Sequence, residues 1–292
     1  MRFRGRREEV KSHLIFRFVW WTSNVLLAIA LVTTAYSAVW EISVRRYLRG
    51  FSDAIIPEAA PAQQKAEAIL AWMENGPPRL ESARPTQLSP RDPEDTLNYR
   101  QLMEVCGSAT NAFLNLSRSA GLQSRRLLLL TAEHTTKHVV AEVNVDGRWV
   151  IADPTYRTFF KDKQGNLLTR KELQNPEIFR QATSVLPQYP AEYTFDRFAH
   201  VRISALPFHG AQVRVLLDRV FPGWDERLDW SLLLERRSFV WFFLSATALV
   251  FFLLMRLVLG WLADNHLQVP RFHLRANLSR ATAAFFTSPE IK

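Results

Sequence analysis

Two apolar runs constrain this chain more than any other feature. Phe18 to Trp40 carries no charge and lies between Arg17 and Glu41. Ser238 to Ala263 is apolar apart from Arg256. Each reaches the roughly 20 residues that a helix needs to cross a bilayer, and neither contains proline. Trp20 and Trp21 stand near one end of the first run and Trp40 at the other, while Trp241 and Trp261 bracket the second. That spacing suits the two interfaces of a membrane. Arg256 lies close enough to an end to snorkel its guanidinium outward. The alternative for the first run is a signal peptide cleaved near Ala35-Tyr36-Ser37. Its uncharged length exceeds the usual apolar core of about 7–15 residues, which favours an anchor. A buried helical hairpin is the alternative for the second run, and the density of Phe, Leu and Val in Phe239 to Leu244 speaks against it.

The charge follows the same division. The 292 residues carry a formal net charge of +9. Residues 41–237 hold 26 basic and 24 acidic side chains, a net of +2, and the remainder holds 11 basic and 4 acidic, a net of +7. A nucleic-acid binder would place its basic excess on the folded domain, so no nucleic-acid partner is expected. The positive-inside rule puts the basic N-terminus in the cytoplasm. The expected organisation is a cytoplasmic N-terminus over 1–17, a membrane helix over 18–40, an extracytoplasmic domain over 41–237 with its core at about 62–160, a second membrane helix over 238–263, and a cytoplasmic basic tail over 264–292. The expectation is an integral membrane protein of a bacterial inner or plasma membrane, with the bilayer itself as one partner.

Within the central segment, hydrophobic residues make up enough of the chain to form a core. Ala66, Ile69, Leu70 and Met73 fall at helical spacing and predict a helix over Gln63 to Asn75, ended by Gly76-Pro77-Pro78. A proline-rich loop follows, then a short helix within Thr96 to Glu104. Cys106 to Ala120 is the next predicted helix, with Ala109, Ala112, Phe113 and Leu116 as its stripe and Gly121 as its stop. Arg126 to Thr131 predicts a strand apolar on both faces. His138 to Asp153 predicts a hairpin turning at Asp146-Gly147. Thr169 to Glu172 fits a capping box, Ala199 to Ser204 a strand, and Asp229 onward a helix that runs into the second apolar run.

Cys106 is the single cysteine. It excludes an internal disulfide framework and a zinc site built on several thiolates, and no metal or cofactor is expected. At the start of a helix, the unpaired N–H groups and the dipole favour the thiolate, which is the nucleophilic form. If the hairpin turns at Asp146-Gly147, Val145 pairs with Arg148 and His138 lies diagonal to Asp153 on one face. Val140, Glu142, Asn144, Trp149 and Ile151 share that face, and Val139, Ala141, Val143, Val145, Val150 and Ala152 form the opposite, core-like face. The pattern leaves His138 and Asp153 together on the face turned away from the core. A histidine oriented by an aspartate is the arrangement that activates a cysteine. His134 ranks second as base, and His200 and His209 read as solvated or structural.

These residues carry a resemblance. Cys106-Gly107, the helix ending Ser119-Ala120-Gly121-Leu122, Arg125-Arg126-Leu127-Leu128, His138 to Val143, Asp146-Gly147-Arg148-Trp149 and Asp153-Pro154-Thr155 resemble the transglutaminase-like superfamily over about 50 residues. The resemblance implies an α+β, papain-like fold in which a cysteine-bearing helix packs on an antiparallel sheet. It maps nucleophile, base and orienting acid onto Cys106, His138 and Asp153. It implies acyl transfer or hydrolysis at an amide bond through a Cys106 thioester, on a protein or peptide of the cell envelope. Family members also include inactive relatives, so the alternative is a scaffold in envelope or surface-polymer assembly, with a possible membrane-protein partner. One departure is Val140, where the family often carries an aromatic at the cleft wall. Trp72 and Tyr99 are candidates for a second oxyanion donor.

Overall fold

The computed structural model describes residues 2–81, 88–201, 210–224, 233 and 235–267. It divides into two units, residues 37–242 and residues 1–36 with 243–292. Helix α1 (Arg2–Ile55) is continuous from the basic N-terminus through the first apolar run and on into the central unit. It outlasts the apolar run because Val44, Leu48, Phe51 and Ile55 recur at steps of four, three and four and pack onto the central core. Pro57 then disfavours helix at the residue before it and ends the element.

The central unit is an α+β domain. Helix α2 (Ala62–Asn75) ends at Gly76, where a Cβ would meet the Trp72 carbonyl oxygen at 2.4 Å. The expected helix at 96–104 is two short ones, α3 (Pro93–Asn98) and α4 (Arg100–Glu104). Between them Tyr99 is extended and its backbone bridges to Leu80. Helix α5 (Cys106–Ser119) follows, and then strands β1 (Ser124–Leu130), β2 (Thr136–Val145), β3 (Arg148–Asp153) and β4 (Thr158–Phe159). Helices α6 (Arg170–Leu173) and α7 (Pro176–Thr183) precede strand β5 (Phe198–Ala199). Helix α8 (Gly210–Val220) follows in this unit.

The five strands run antiparallel in the order β4-β3-β2-β1-β5. The hairpin register runs from Ala141 opposite Ala152 to Val145 opposite Arg148, as the turn position predicts. Asp146 and Gly147 both take positive φ, 50° and 83°, which a two-residue turn matched to the strand twist requires. The Asn144 side chain accepts the Gly147 N–H and closes it. Thr169 and Glu172 form the expected capping box. Strand β5 spans two residues; of the expected strand Ala199 to Ser204 only Ala199 is strand, His200 and Val201 form a bend, and 202–204 lie outside the described residues, as does most of the segment from Asp229 to Leu234.

Helices α2 and α5 cover one face of the sheet, burying Ala109, Phe113 and Leu116 with Ala141, Val143 and Ala152. The other face differs from the sequence reading. It is buried as well, with Leu127, Leu129, Val140 and Ile151 lying under Phe160, Leu168, Phe179 and Phe195. The cover comes from the irregular chain between 160 and 198, which has no period to betray its apolar side.

That cover is fastened by a buried carboxylate. Glu142 is 2% exposed and accepts from Arg125 Nε at 2.6 Å. Arg170 Nε stands 3.5 Å from its Oε1 and His200 Nε2 3.6 Å from its Oε2. The guanidiniums lie over rings in turn, Arg125 on Trp149 and Arg170 on Phe198. Removing one member of a buried charged cluster strands the rest. Glu142→Ala is therefore expected to destabilise the domain by about 3 kcal/mol, read as a fall in the thermal midpoint of the purified chain. A change within about 0.5 kcal/mol would show that the cluster does not fasten the cover.

Two stretches are apolar enough to cross a membrane, within Leu14–Ile55 and Arg237–Leu267. The second is helix α9 (Arg237–Leu262). Polar residues inside the first stretch satisfy themselves locally, with Ser23, Thr33 and Thr34 donating to carbonyls one turn back. Arg256 does more than snorkel. It donates to the Asn24 side chain and lies 4.2 Å from the Trp20 ring centroid.

Candidate active site

Val105 is extended, caps α5 with no side-chain hydrogen bond, and makes Cys106 the first helical residue. The first N–H groups of a helix have no intrahelical carbonyl to meet. Here the Gly107 N–H turns to the Cys106 sulfur, and the Val139 N–H does the same from β2. Beside Gly107 no atom lies within 4 Å of where a Cβ would stand, its chain neighbours aside. Cys106 is half-buried against Leu128, Leu130, Val139 and Ala199.

His138 is buried on β2, and its Nε2 lies 2.7 Å from Asp153 Oδ2. Nδ1 has no hydrogen-bond partner and is the ring nitrogen left for the thiol, whose ionised form His138 favours. Asp153 is fully buried at the end of β3. Pro154 stops the strand there, and the chain folds back so that Asp153 Oδ1 accepts the N–H groups of Thr155 at 3.0 Å and Tyr156 at 3.4 Å. Oδ2 also accepts the Tyr189 hydroxyl at 3.1 Å. Four donors thus hold one carboxylate.

The electrostatics follow from these contacts. His138 holds the Cys106 thiol below its ordinary range, against burial, which acts the other way. Burial pulls the His138 imidazole down, but Asp153 and then Cys106 outweigh it and push the imidazole up to about 9. Below that pH the imidazolium is favoured, and its charge in turn favours the thiolate. Tyr189 is pushed above the usual phenol range by burial and then by the Asp153 charge, so it stays a neutral donor.

The structure brings Cys106, His138 and Asp153 together. It also supplies aromatic residues that sequence reasoning did not single out. Tyr193 stacks on the His138 ring at 4.2 Å and 6°, and Tyr156 and Tyr189 meet it edge-on, each at 6.3 Å. Their signal was the density of tyrosine in Tyr189 to Tyr193, inside a stretch with no readable period. Val140 is fully buried in the core beside Leu127 and Phe160, so its departure from the family pattern changes core packing and not the cleft wall. His134 sits exposed at the β1–β2 turn with a φ of 58°. His200 is buried against the Arg126 carbonyl and Glu142, and His209 lies outside the described residues. Trp72 belongs to the core, against Phe51 and under the Arg79 guanidinium. Tyr99 is half-buried at the start of α4.

A helix opening on a cysteine, packed on an antiparallel sheet that carries a histidine–aspartate pair, defines a papain-like α+β domain. Residues 49–154 match the model of the transglutaminase-like superfamily. No curated protein and no solved structure matches the chain.

Proposed function

We propose that this chain is a membrane-anchored transglutaminase-like cysteine enzyme that transfers or hydrolyses acyl groups at an amide bond. The observation that carries the reading is that His138, whose charge favours the Cys106 thiolate, is hydrogen-bonded to a buried Asp153 held by three further donors. A purely structural histidine would not need its partner carboxylate fixed from both oxygens.

In this reading the Cys106 thiolate attacks the amide carbonyl carbon. The oxyanion forms beside the start of α5, where the Cys106 N–H has no intrahelical partner. His138 gives its proton to the nitrogen, the C–N bond breaks, and an amine or ammonia leaves behind a thioester. Water or a second amine then attacks, His138 takes its proton, the C–S bond breaks and the thiolate returns. Asp153 holds the ring tautomer and stabilises the imidazolium. The basic N-terminus directs the domain outward, so the substrates are protein or peptide amides of the cell envelope.

The test is capture of the thioester. The purified full chain is mixed with glutamine-containing and other peptide amides, quenched in acid and weighed intact. The expected result is an acyl adduct on Cys106 that hydroxylamine removes and that Cys106→Ala never forms. A folded chain that forms no adduct across a broad peptide set would support the scaffold reading instead.

A further inference from the structure

His138 is held at one nitrogen, and that does not fix a ring. Its Nε2 meets Asp153 Oδ2 at 2.7 Å, but a hydrogen bond tolerates some tens of degrees of misalignment before it weakens steeply. Within that tolerance the imidazole still turns about its Cβ–Cγ bond, and each turn swings Nδ1, the nitrogen left for the thiol, off its aim. A flat contact on the ring face removes this freedom. Tyr193 makes one, with 4.2 Å between centroids and 6° between planes. Tyr156 and Tyr189 meet the ring at 71° and 87°, so they bound its edges and leave the face to Tyr193.

Tyr193 is itself anchored from both sides. Its N–H donates to the Pro190 carbonyl at 3.1 Å. The next residue, Thr194, accepts Lys137 Nζ at 3.0 Å, so the strand that carries His138 also ties down the chain beside Tyr193. Phe195 is fully buried in the core with Phe160 and Phe179. On the other side Tyr189 lies edge-on to Tyr193 at 5.8 Å and donates to Asp153.

The contact also has a sign. The face of a phenol ring is negative and attracts a cation lying on it. Stacked on His138, it favours the imidazolium over the neutral ring. The groups around the imidazole then agree: the Asp153 carboxylate and the Cys106 thiolate favour its charge, and the three tyrosines add none of their own. Tyr193 keeps its proton, because burial and then the charges of Cys106 and Glu192 hold its phenol above the ordinary range.

We infer that Tyr193 is a positioning residue for the Cys106–His138 pair, whose ring fixes the plane of the imidazole and favours its charged form. It acts through His138 and not on the substrate. The inference rests on the proposed reading of Cys106 and His138 as the reacting pair, and names what holds that pair in place.

The test follows alkylation of Cys106 against pH in the detergent-solubilised full chain, for the parent, Tyr193→Leu and Tyr193→Phe. Leucine is apolar but has no π face. With it the imidazolium loses support, the thiolate loses its neighbour's charge, and the thiol midpoint is expected to move to higher pH. Below the parent's midpoint the alkylation rate is expected to fall about fivefold, the scale of one partly desolvated cation–π contact. Phenylalanine keeps the face and is expected to stay within about twofold of the parent. Tyr193→Met repeats the comparison if the leucine variant does not fold. A purely structural role would lower the thermal midpoint and leave the pH midpoint where it was, which would overturn the inference. So would a phenylalanine variant that loses as much as leucine, since the effect would then belong to the hydroxyl. Thioester capture separates this inference from the reading beneath it. An adduct on the parent with an unshifted Tyr193→Leu profile rejects the role of Tyr193 alone. A shifted profile with no adduct rejects acyl transfer and upholds the hold of Tyr193 on the pair.

Discussion

With His138 replaced by alanine, turnover of the amide substrate is expected to fall by about 10²–10⁴-fold, the range for removal of a general acid–base group. The loss comes from both halves of the cycle. The thiol loses the contact that most favours its ionised form, while burial, which disfavours the charge, remains. The leaving nitrogen loses its proton donor. The fold has reason to survive, because Asp153 keeps the N–H groups of Thr155 and Tyr156 and the Tyr189 hydroxyl. Unchanged circular dichroism with lost turnover is the expected pairing. Turnover within threefold of the parent would remove His138 from the chemistry.

Asp153→Asn is the second large effect, expected at about 10²-fold in kcat/KM. An amide is the same size as a carboxylate but offers one acceptor oxygen. Here donors converge on both oxygens, His138 and Tyr189 on one and two backbone N–H groups on the other. Whichever way the amide turns, its NH₂ faces donors. The pH profile gives the sign of the electrostatic part. The imidazole is raised to about 9 with Asp153 as the leading favourable contact, so in the parent the alkaline limb, where the imidazolium is lost, should lie near pH 9. Removing the negative charge lowers that pKa, and the limb should move toward neutrality. An alkaline limb unmoved by the substitution would show that Asp153 does not set the state of His138.

The parts of this site that were legible in the sequence share a physical reason. Asp146-Gly147 admits few backbone shapes, so the turn fixed the register, and the register put His138 and Asp153 on one face. The stripe of Ala109, Ala112, Phe113 and Leu116 marked α5 and placed Cys106 at its start. What escaped was non-local. The chain from 160 to 198 folds over the second face through turns and short helices, and neither the burial of Ile151 nor the tyrosines around His138 leaves a periodic trace. The extension of α1 was written in Val44, Leu48, Phe51 and Ile55, but charged residues between them masked the stripe once the uncharged run had ended. Glu142 looked like one polar residue on an open face, because the arginines that neutralise it lie 17 and 28 positions away.

The central claim is that His138 holds Cys106 as an activated thiolate. Its most direct test is the rate of Cys106 alkylation against pH, in the full chain and in His138→Ala. Cys106 is the only cysteine, so the signal belongs to one site. A free thiol titrates near 8.5. The parent is expected to titrate well below that, and the variant at or above it, since burial alone then acts on the sulfur. A folded parent that titrates near 8.5 and superimposes on the variant would contradict the account.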